Sequence, residues 1–240
     1  MNLKGMHMKP VAYILSLALV GVLFAAPAAP ALPPAEPTIA LVSKVILDVT
    51  RKESGKDWQK AKRGETLASG DKVKTGDQSI AVIKFKDNSL VRVRERTELT
   101  VTGTMNGSAF SKSVNIQKGV VGFNIQKQRA AEEFRFSSPT SVASIRGTGG
   151  ALTIASSDTL VVTEGLVRLT NNISNNFVDV AAGFTGLSNP DGTIASRPST
   201  PAERAAAENA ARATEQDNRL EFELRDNQGN SKRLIIDFKE

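Results

Sequence analysis

Residues 79–96 read SIAVIKFKDNSLVRVRER, two runs of alternating apolar and polar residues separated by the turn-forming Asp87-Asn88-Ser89. An alternation with a period of two is typical of a strand with one buried face, and two such runs around a short polar loop predict an antiparallel hairpin. With Asp87-Asn88-Ser89 as a three-residue loop, Phe85 pairs with Val91 on the buried face. The second or third loop residue then takes the left-handed backbone conformation that such a loop requires.

The other face of this hairpin carries positive charge. The predicted register places Lys84 opposite Arg92 on the solvent side, within a basic face made of Lys84, Lys86, Arg92 and Arg94. Like charges directly opposite each other are mildly destabilising, so this face is a candidate site for an anion or an acidic partner. The alternative is that the charges only keep an outer strand from pairing with other chains.

The same alternation continues in short runs from Ile39 to about Leu187, and no long helical period interrupts it. Many short strands separated by turn residues are typical of a sandwich or a barrel. We therefore expect an all-β fold, a single sandwich- or roll-like antiparallel domain over residues 39–187. Within it, residues 39–49 are predicted as one strand, and residues 111–117 and 119–126 as two separate strands.

Beyond this domain the pattern changes. A linker over residues 188–200 leads into Thr200-Pro201-Ala202-Glu203, in which a capping hydroxyl precedes a proline at the first helical position and Glu completes a capping box. A helix is predicted over residues 201–218, and because its apolar residues are all alanine it is expected to bury little area and to act as a surface spacer. Alternation returns in residues 219–240, which predicts a C-terminal β-hairpin that packs on the main sheet or joins the sheet of a partner.

The first 28 residues have the organisation of a secretory signal peptide. Lys4 and Lys9 precede the apolar stretch Val11–Phe24, and alanine and proline follow with two possible cleavage points. A retained membrane anchor is the alternative, but the prolines interrupt the apolar helix before it reaches the length of about 20 residues that a bilayer requires. We expect cleavage, a Pro-rich lead-in over residues 29–38, and a periplasmic or secreted protein that meets the membrane only if the signal segment is retained.

The composition argues against catalysis. His7 is the only histidine and Tyr13 the only tyrosine, both within the signal segment, and the chain has no cysteine. The processed chain lacks the imidazole and thiol groups on which most hydrolases, transferases and transition-metal sites depend, so we expect no enzyme activity, no metal and no cofactor. The formal net charge of +6 falls to +4 without Lys4 and Lys9, an excess too small to indicate nucleic-acid binding.

Several short motifs occur in order along the predicted β domain. Arg63-Gly64-Glu65-Thr66-Leu67 is followed by Gly70-Asp71-Lys72-Val73-Lys74-Thr75-Gly76 and by the hairpin, and later come Arg146-Gly147-Thr148 and Thr163-Glu164-Gly165-Leu166-Val167. In this order the motifs resemble those of the FecR domain family, with Asn88 where that family usually has glycine. The resemblance covers about residues 41–187.

The resemblance implies an exported, all-β, non-catalytic module of a bacterial envelope. FecR proteins place a cytoplasmic anti-sigma segment before a membrane span, whereas only about ten residues precede the apolar stretch here, so that segment is not expected. The motif positions are expected to be structural; they are Gly70, Asp71, Thr75, Gly76, Arg146, Gly147, Thr148, Glu164 and Gly165.

Three functions remain open at this point. The first is a FecR-like module for protein–protein interaction, in signalling or envelope scaffolding, that binds an envelope protein through an exposed strand or the C-terminal hairpin. The second is a binder of anionic envelope polysaccharide or peptidoglycan that uses the basic face. The third is a glycan hydrolase that uses carboxylates alone, although none of its candidate pairs lies in a recognisable signature; the pairs are Glu95 with Glu98, Glu132 with Glu133, and Asp158 with Glu164.

Overall fold

The computed structural model describes residues 38–107, 109–212, 219–225 and 231–237. The predicted signal peptide, most of the Pro-rich lead-in, the last part of the predicted helix and the turn of the C-terminal hairpin lie outside the described residues. Among the residues that are described, none forms a helix long and apolar enough to span a bilayer.

Strands make up most of the described chain, as the alternating sequence predicts. Their bounds are β1 Ala40–Ile46, β2 Val49–Lys52, β3 Gln59–Lys60, β4 Thr66–Leu67, β5 Lys72–Thr75, β6 Ile80–Phe85, β7 Leu90–Val93, β8 Glu98–Asn106, β9 Ala109–Ile125, β10 Phe134–Ser137, β11 Ser141–Ile145, β12 Thr148–Ile154, β13 Asp158–Glu164, β14 Leu166–Asn171, β15 Phe177–Ala181, β16 Phe184–Ser188, β17 Ile194–Pro198, β18 Arg219–Arg225 and β19 Ser231–Asp237. A helix, α1, covers Pro201–Arg212 between β17 and β18.

Two sheets form the domain. The first sheet has the order β4-β1-β6-β7-β9-β12-β13-β16-β17, and the second has the order β3-β2-β5-β8-β9-β10-β11-β14-β15. All neighbouring strands are antiparallel except β9 and β10, which are parallel. The all-β prediction is confirmed, with this one parallel pairing as a departure from a wholly antiparallel domain.

Strand β9 belongs to both sheets. Its N-terminal part pairs with β8 and β10, and its C-terminal part, from Gly119 onward, pairs with β7 and β12. Gly119 has φ +107°, and a Cβ at this position would stand 2.6 Å from the backbone Cα of Thr97. Only glycine can occupy such a bend, so the two strands predicted over residues 111–117 and 119–126 form one continuous strand.

The core lies between the two sheets. Phe85 of the first sheet meets Phe134 of the second edge to face, with ring centroids 4.9 Å apart. Phe123 and Phe136 make a second contact across the same space at 5.0 Å. These four rings are fully buried or nearly so, and they join the apolar faces that the alternating pattern predicts.

The β6–β7 hairpin differs from its predicted register by one residue on each strand. Phe85 donates its N–H to the Ser89 carbonyl at 2.9 Å, which makes Lys86-Asp87-Asn88 the loop. Asn88 takes the left-handed conformation with φ +66°, as the third loop residue. Each residue pairs with a position two residues away from its predicted partner, so the same side chains stay on the same face of the hairpin. Lys84 lies opposite Leu90 rather than Arg92.

Helix α1 is capped as predicted but is not a spacer. Glu203 donates its N–H to the Thr200 hydroxyl at 3.2 Å and accepts the Thr200 N–H at 2.8 Å. Ala207 and Ala210 are buried against the first sheet, where they contact a strip of small apolar residues, Val120, Ala151 and Val161. The absence of long side chains, which predicted weak burial, is what allows the helix to approach the sheet closely.

The C-terminal strands form the predicted hairpin. The backbone register pairs position 220 with position 236 and position 222 with position 234. Whether this hairpin packs on the main domain or on a partner stays a prediction.

Candidate interaction surface

Each sheet has two edges, and their ability to accept another strand differs. In the first sheet the edges are β4 and β17, and in the second sheet they are β3 and β15. Strands β3 and β4 have two residues each, which is too short to template an added strand. Strand β17 is longer but ends at Pro198, which has no N–H to donate, and proline is a common device for protecting an edge.

Strand β15 has no such protection in its sequence, Phe-Val-Asp-Val-Ala. Asn171 donates its N–H to the Asn176 carbonyl, and Ala182 donates to the Gly165 carbonyl, both at 2.9 Å, which fixes the phase of hydrogen bonding between β14 and β15. Because hydrogen-bonded and non-hydrogen-bonded pairs alternate in an antiparallel ladder, the N–H and C=O groups of Phe177, Asp179 and Ala181 point away from β14. Within the described part of the chain no hydrogen bond reaches these groups.

The side chains of the same three residues are exposed on the outer face of the second sheet. Phe177 is 55% exposed, and so is Leu166, which lies opposite Ala181 on β14. The guanidinium of Arg168 stacks on the Phe177 ring with its Cζ 4.2 Å from the ring centroid. Large apolar side chains beside unpaired backbone groups are the features that a strand-addition site combines.

Arg168 also holds Asp179 through two hydrogen bonds. Its Nε lies 2.8 Å from Oδ1 and its Nη2 lies 3.0 Å from Oδ2. The hydrogen bond from Arg168 lowers the pKa of Asp179, and the same bond raises the pKa of Arg168. The edge therefore presents a neutralised ion pair rather than an isolated carboxylate, so its charge does little to repel an incoming strand.

The basic face predicted on the hairpin is divided in the structure. Lys86 is exposed, Lys84 and Arg94 are half-buried, and Arg92 is buried at 7% exposure. Arg92 lies opposite Gly122 of β9, and Gly122 is the position over which α1 packs, so Arg92 projects to the face that the helix occupies. The four residues therefore do not form one solvent-exposed face. The sequence pattern could not show this, because it contains no information about which element covers the first sheet.

A different set of cations surrounds a cleft at the end of β9. This cationic cleft consists of Lys86 from the β6–β7 loop, Lys127 and Arg129 from the segment after β9, and Arg146 from the β11–β12 turn. They line two adjacent cavities of about 390 and 450 Å³ that share Lys127. In the part of the chain that the structure describes, none of the four forms an ion pair.

The first group of motif residues fastens β5 to its neighbours. Asp71 is buried and accepts the N–H groups of Ser54 and Ala68 at 3.2 and 3.0 Å. The Thr75 hydroxyl donates to the Arg94 carbonyl at 2.5 Å and accepts the Thr97 N–H at 3.0 Å.

The two glycines of this group shape the turns on either side of β5. Gly70 has φ +90°, and Gly76 donates its N–H to the Asp48 carbonyl at 2.8 Å. These contacts organise the backbone around β5, and Asp71 also lines a cavity of about 290 Å³ together with Arg51 and Glu53.

The second group of motif residues comes together at the wall of the cationic cleft. Gly165 lies against Gly147, whose carbonyl oxygen would stand 2.8 Å from a Cβ at position 165, and Gly147 has φ +128°. Thr148 is buried beside them, while Arg146 and Glu164 are exposed and line the cleft. The structure thus unites two motifs that are separated in sequence.

Of the carboxylates considered for catalysis, Asp158 is separated from Glu164, and Glu133 and Glu95 each bind a neighbouring group. Asp158 and Glu164 lie at opposite ends of β13. Asp158 is buried and accepts hydrogen bonds from the Ser138 hydroxyl and, at 2.6 Å, from the Ser141 hydroxyl. Glu133 pairs with Arg135 at 2.5 Å, and Glu95 accepts the Gln78 N–H at 2.8 Å. No group of three His, Cys, Asp or Glu side chains suited to a metal occurs among the described residues.

The residues of the β15 edge were not singled out by the sequence analysis. Position along the chain does not reveal which strand ends a sheet, since that depends on the whole topology. One signal was available: Phe177–Ala181 contains neither lysine nor proline, whereas Ile194–Pro198 ends in proline.

Comparison with known proteins finds a family model and several solved chains. Residues 71–168 match the family model described as "FecR protein". Two crystal structures described as a "putative anti-sigma factor" from Parabacteroides distasonis match with 11% sequence identity and a TM-score of 0.45, covering 53% of this chain. This chain spans 59% of the length of those solved chains. No curated protein matches in sequence.

Proposed function

We propose that this chain, whose residues 71–168 match the FecR family model, is a non-catalytic module of the bacterial envelope that binds a protein partner by strand addition at β15. The role is signalling or scaffolding, and the protein is exported to the periplasm or beyond by its N-terminal segment. The observation that carries the proposal is the edge itself, where the backbone groups of Phe177, Asp179 and Ala181 have no hydrogen-bond partner among the described residues and lie beside two exposed apolar side chains.

Strand addition suits this edge for physical reasons. An added strand satisfies backbone donors and acceptors that otherwise rely on water, and it covers Phe177 and Leu166 on the outer face. The other edges of the described sheets are two residues long at β3 and β4, and at β17 Pro198 removes one outward N–H group. The composition supports a binding role, because the segment after residue 28 has no histidine and no cysteine.

A photo-crosslinking residue at position 179, introduced in living cells, tests the proposal. We expect a covalent adduct at position 179 and none with the same residue at Ser156, an exposed position in the β12–β13 turn. The adduct should persist when residues 219–240 are deleted, since the edge rather than the C-terminal hairpin makes the contact. An adduct that vanishes with the hairpin, or the absence of any adduct at 179, contradicts binding at the β15 edge.

A second candidate function is the binding of an anionic envelope polysaccharide, and the cationic cleft favours it. Lys86, Lys127, Arg129 and Arg146 surround two adjacent cavities and form no salt bridge in the described residues, although Asp87, Glu132 and Glu164 also line these cavities. Exposed cations gathered around a concave surface attract polyanions, and such binding weakens as salt screens the charges.

Co-sedimentation with an insoluble acidic polysaccharide at increasing salt tests this second function, and the measured quantity, here called retention, is the fraction of the protein that pellets with the polymer. Replacing Lys127 and Arg129 with alanine should lower retention several-fold at low salt. Replacing Lys72 and Lys74, two exposed lysines on β5 outside the cleft, is the matched control and should leave retention unchanged. Equal losses in both double variants would show that net charge, not the cleft, determines binding.

A further inference from the structure

We propose that the strand that occupies the β15 edge is β15 of a second copy of this chain, paired antiparallel with Asp179 on the twofold axis. This inference rests on the proposed function, since it names the partner for the same edge. It predicts a symmetric dimer in which the second sheets of two domains become one continuous sheet.

The backbone of β15 is complementary to itself. An antiparallel pair around Asp179 places Asp179 opposite Asp179 of the second copy, and Phe177 opposite Ala181 of the second copy. All three residues have outward N–H and C=O groups, so each pairing is a hydrogen-bonded one. A register shifted by two residues leaves one of the three without a partner from the other β15.

The exposed side chains are complementary in the same register. The large ring of Phe177 meets the small Ala181 of the second copy, and Leu166, which is 55% exposed, lies directly behind Ala181 on β14. Leu166 also borders an open cavity of about 510 Å³ that extends from Asp179 past Arg168 to Ser144 and Glu133. Each Phe177 keeps one face on its own Arg168 and offers the other to the second copy.

The charges at the axis are arranged so that the two copies can meet. Identical carboxylates opposite each other would be destabilising. Here each Asp179 is already bound by its own Arg168 through two hydrogen bonds. The row across the interface therefore alternates as Arg168, Asp179, Asp179 and Arg168, with no net charge.

Disulfide trapping tests both the dimer and its register, because the chain has no native cysteine. Cα atoms of a hydrogen-bonded antiparallel pair lie about 5.5 Å apart, a separation that a disulfide can span. The single variant Asp179→Cys should therefore form a disulfide-linked dimer under mild oxidation. Phe177→Cys alone should not form a disulfide-linked dimer, since position 177 of one copy and position 177 of the other would lie about 13 Å apart along the strand direction. A mixture of Phe177→Cys and Ala181→Cys chains should link efficiently.

Sedimentation velocity on the purified full chain gives the second measurement. The chain should sediment as a dimer, and Asp179→Pro, which removes an outward N–H but no bond to β14, should sediment as a monomer. Asp179→Ala is the matched control, because it loses the carboxylate and keeps the N–H, and it should remain dimeric. Ala195→Cys on β17 is the trapping control and should not link.

The outcomes separate this inference from the proposed function. A monomeric chain whose position 179 crosslinks in cells to a different protein overturns the dimer and leaves strand addition intact. Self-linking of Phe177→Cys overturns the register. A dimer that survives Asp179→Pro shows that another surface joins the copies, which contradicts the inference.

Discussion

Gly122 of β9 lies directly beneath the last turn of α1, so close that a Cβ at position 122 would overlap the Ala210 carbonyl oxygen and stand 2.7 Å from the Ala211 nitrogen. Because backbone cannot move aside as a flexible side chain can, Gly122→Ala should push the helix off the first sheet, at a cost of about 1–3 kcal/mol. Hydrogen exchange of residues 201–212 should rise strongly. Gly149→Ala is the control, since the atom nearest to its Cβ would be the Thr163 hydroxyl oxygen at 3.2 Å, on a side chain that can move; equal exchange in both variants would contradict the close approach.

The N-terminus of α1 should lose stability in acid. The hydrogen bond from Arg197, followed by the bond from the Thr200 N–H, lowers the pKa of Glu203 from 4.5 to about 2. Because the unfolded chain binds this proton more tightly, the contribution of Glu203 is complete above pH 4.5 and is lost as the pH falls towards 2.

Urea unfolding at several pH values measures this contribution. At pH 7 the variant Glu203→Gln should unfold at lower urea than the unsubstituted protein, and the difference should disappear near pH 2. Glu208→Gln, in an exposed pair with Arg212, should show a much smaller difference at every pH. A Glu203→Gln deficit that does not change with pH would argue against a role for the ionised carboxylate.

The hairpin loop is fixed by a buried lysine. Lys112 is 4% exposed and its amine lies 2.8 Å from Asp87 Oδ2, which also accepts a hydrogen bond from Gln128 at 2.9 Å. Burial alone would raise the pKa of Asp87, but the hydrogen bonds from Gln128 and Lys112 lower it. Lys112→Met should lower the free energy of unfolding by about 3 kcal/mol, because it leaves a partly buried carboxylate without its cation.

A double-variant cycle checks this assignment. Asp87→Asn combined with Lys112→Met should cost clearly less than the sum of the two single changes. Lys118→Met, at an exposed position of the same strand, should change stability little. Additive costs in the cycle would mean that the two side chains do not stabilise each other.

Asp158 joins the two sheets at the end opposite to the hairpin loop. Its Oδ2 accepts both serine hydroxyls, from Ser138 and Ser141, at a site closed to solvent. Asp158→Ala should cost about 3 kcal/mol, since two buried hydroxyl groups lose their acceptor. Thermal unfolding measures the loss, and Asp57→Ala, at an exposed position, should have little effect. A thermal midpoint unchanged by Asp158→Ala would remove the structural role given to this carboxylate.

Much of the fold could be predicted from the chain because periodicity acts locally. The buried faces of β6 and β7, the left-handed turn near Asn88 and the cap at Thr200 all depend on residues within a few positions of each other. The predicted hairpin register was wrong by one residue per strand. The predicted loop Asp87-Asn88-Ser89 and the observed loop Lys86-Asp87-Asn88 have equal length, and both registers place the same residues on the buried face of the hairpin. The alternation of apolar and polar residues therefore cannot distinguish the two registers.

The long-range features could not be predicted in this way. Arg92 was predicted to face solvent, because nothing near it in sequence shows that α1 lies over Gly122, its neighbour on β9. The strand predicted over residues 39–49 is divided by Leu47, which adopts φ +56° despite its branched side chain. The β15 edge exists only because β14 is its sole partner in the described sheets.

The passage of β9 through both sheets has a mechanical consequence. The two sheets cannot be separated without breaking β9, because this strand is the central strand of both sheets and passes from one to the other at Gly119. A force applied to the domain is therefore shared between the two layers, and the domain should yield in one abrupt event rather than peel apart layer by layer.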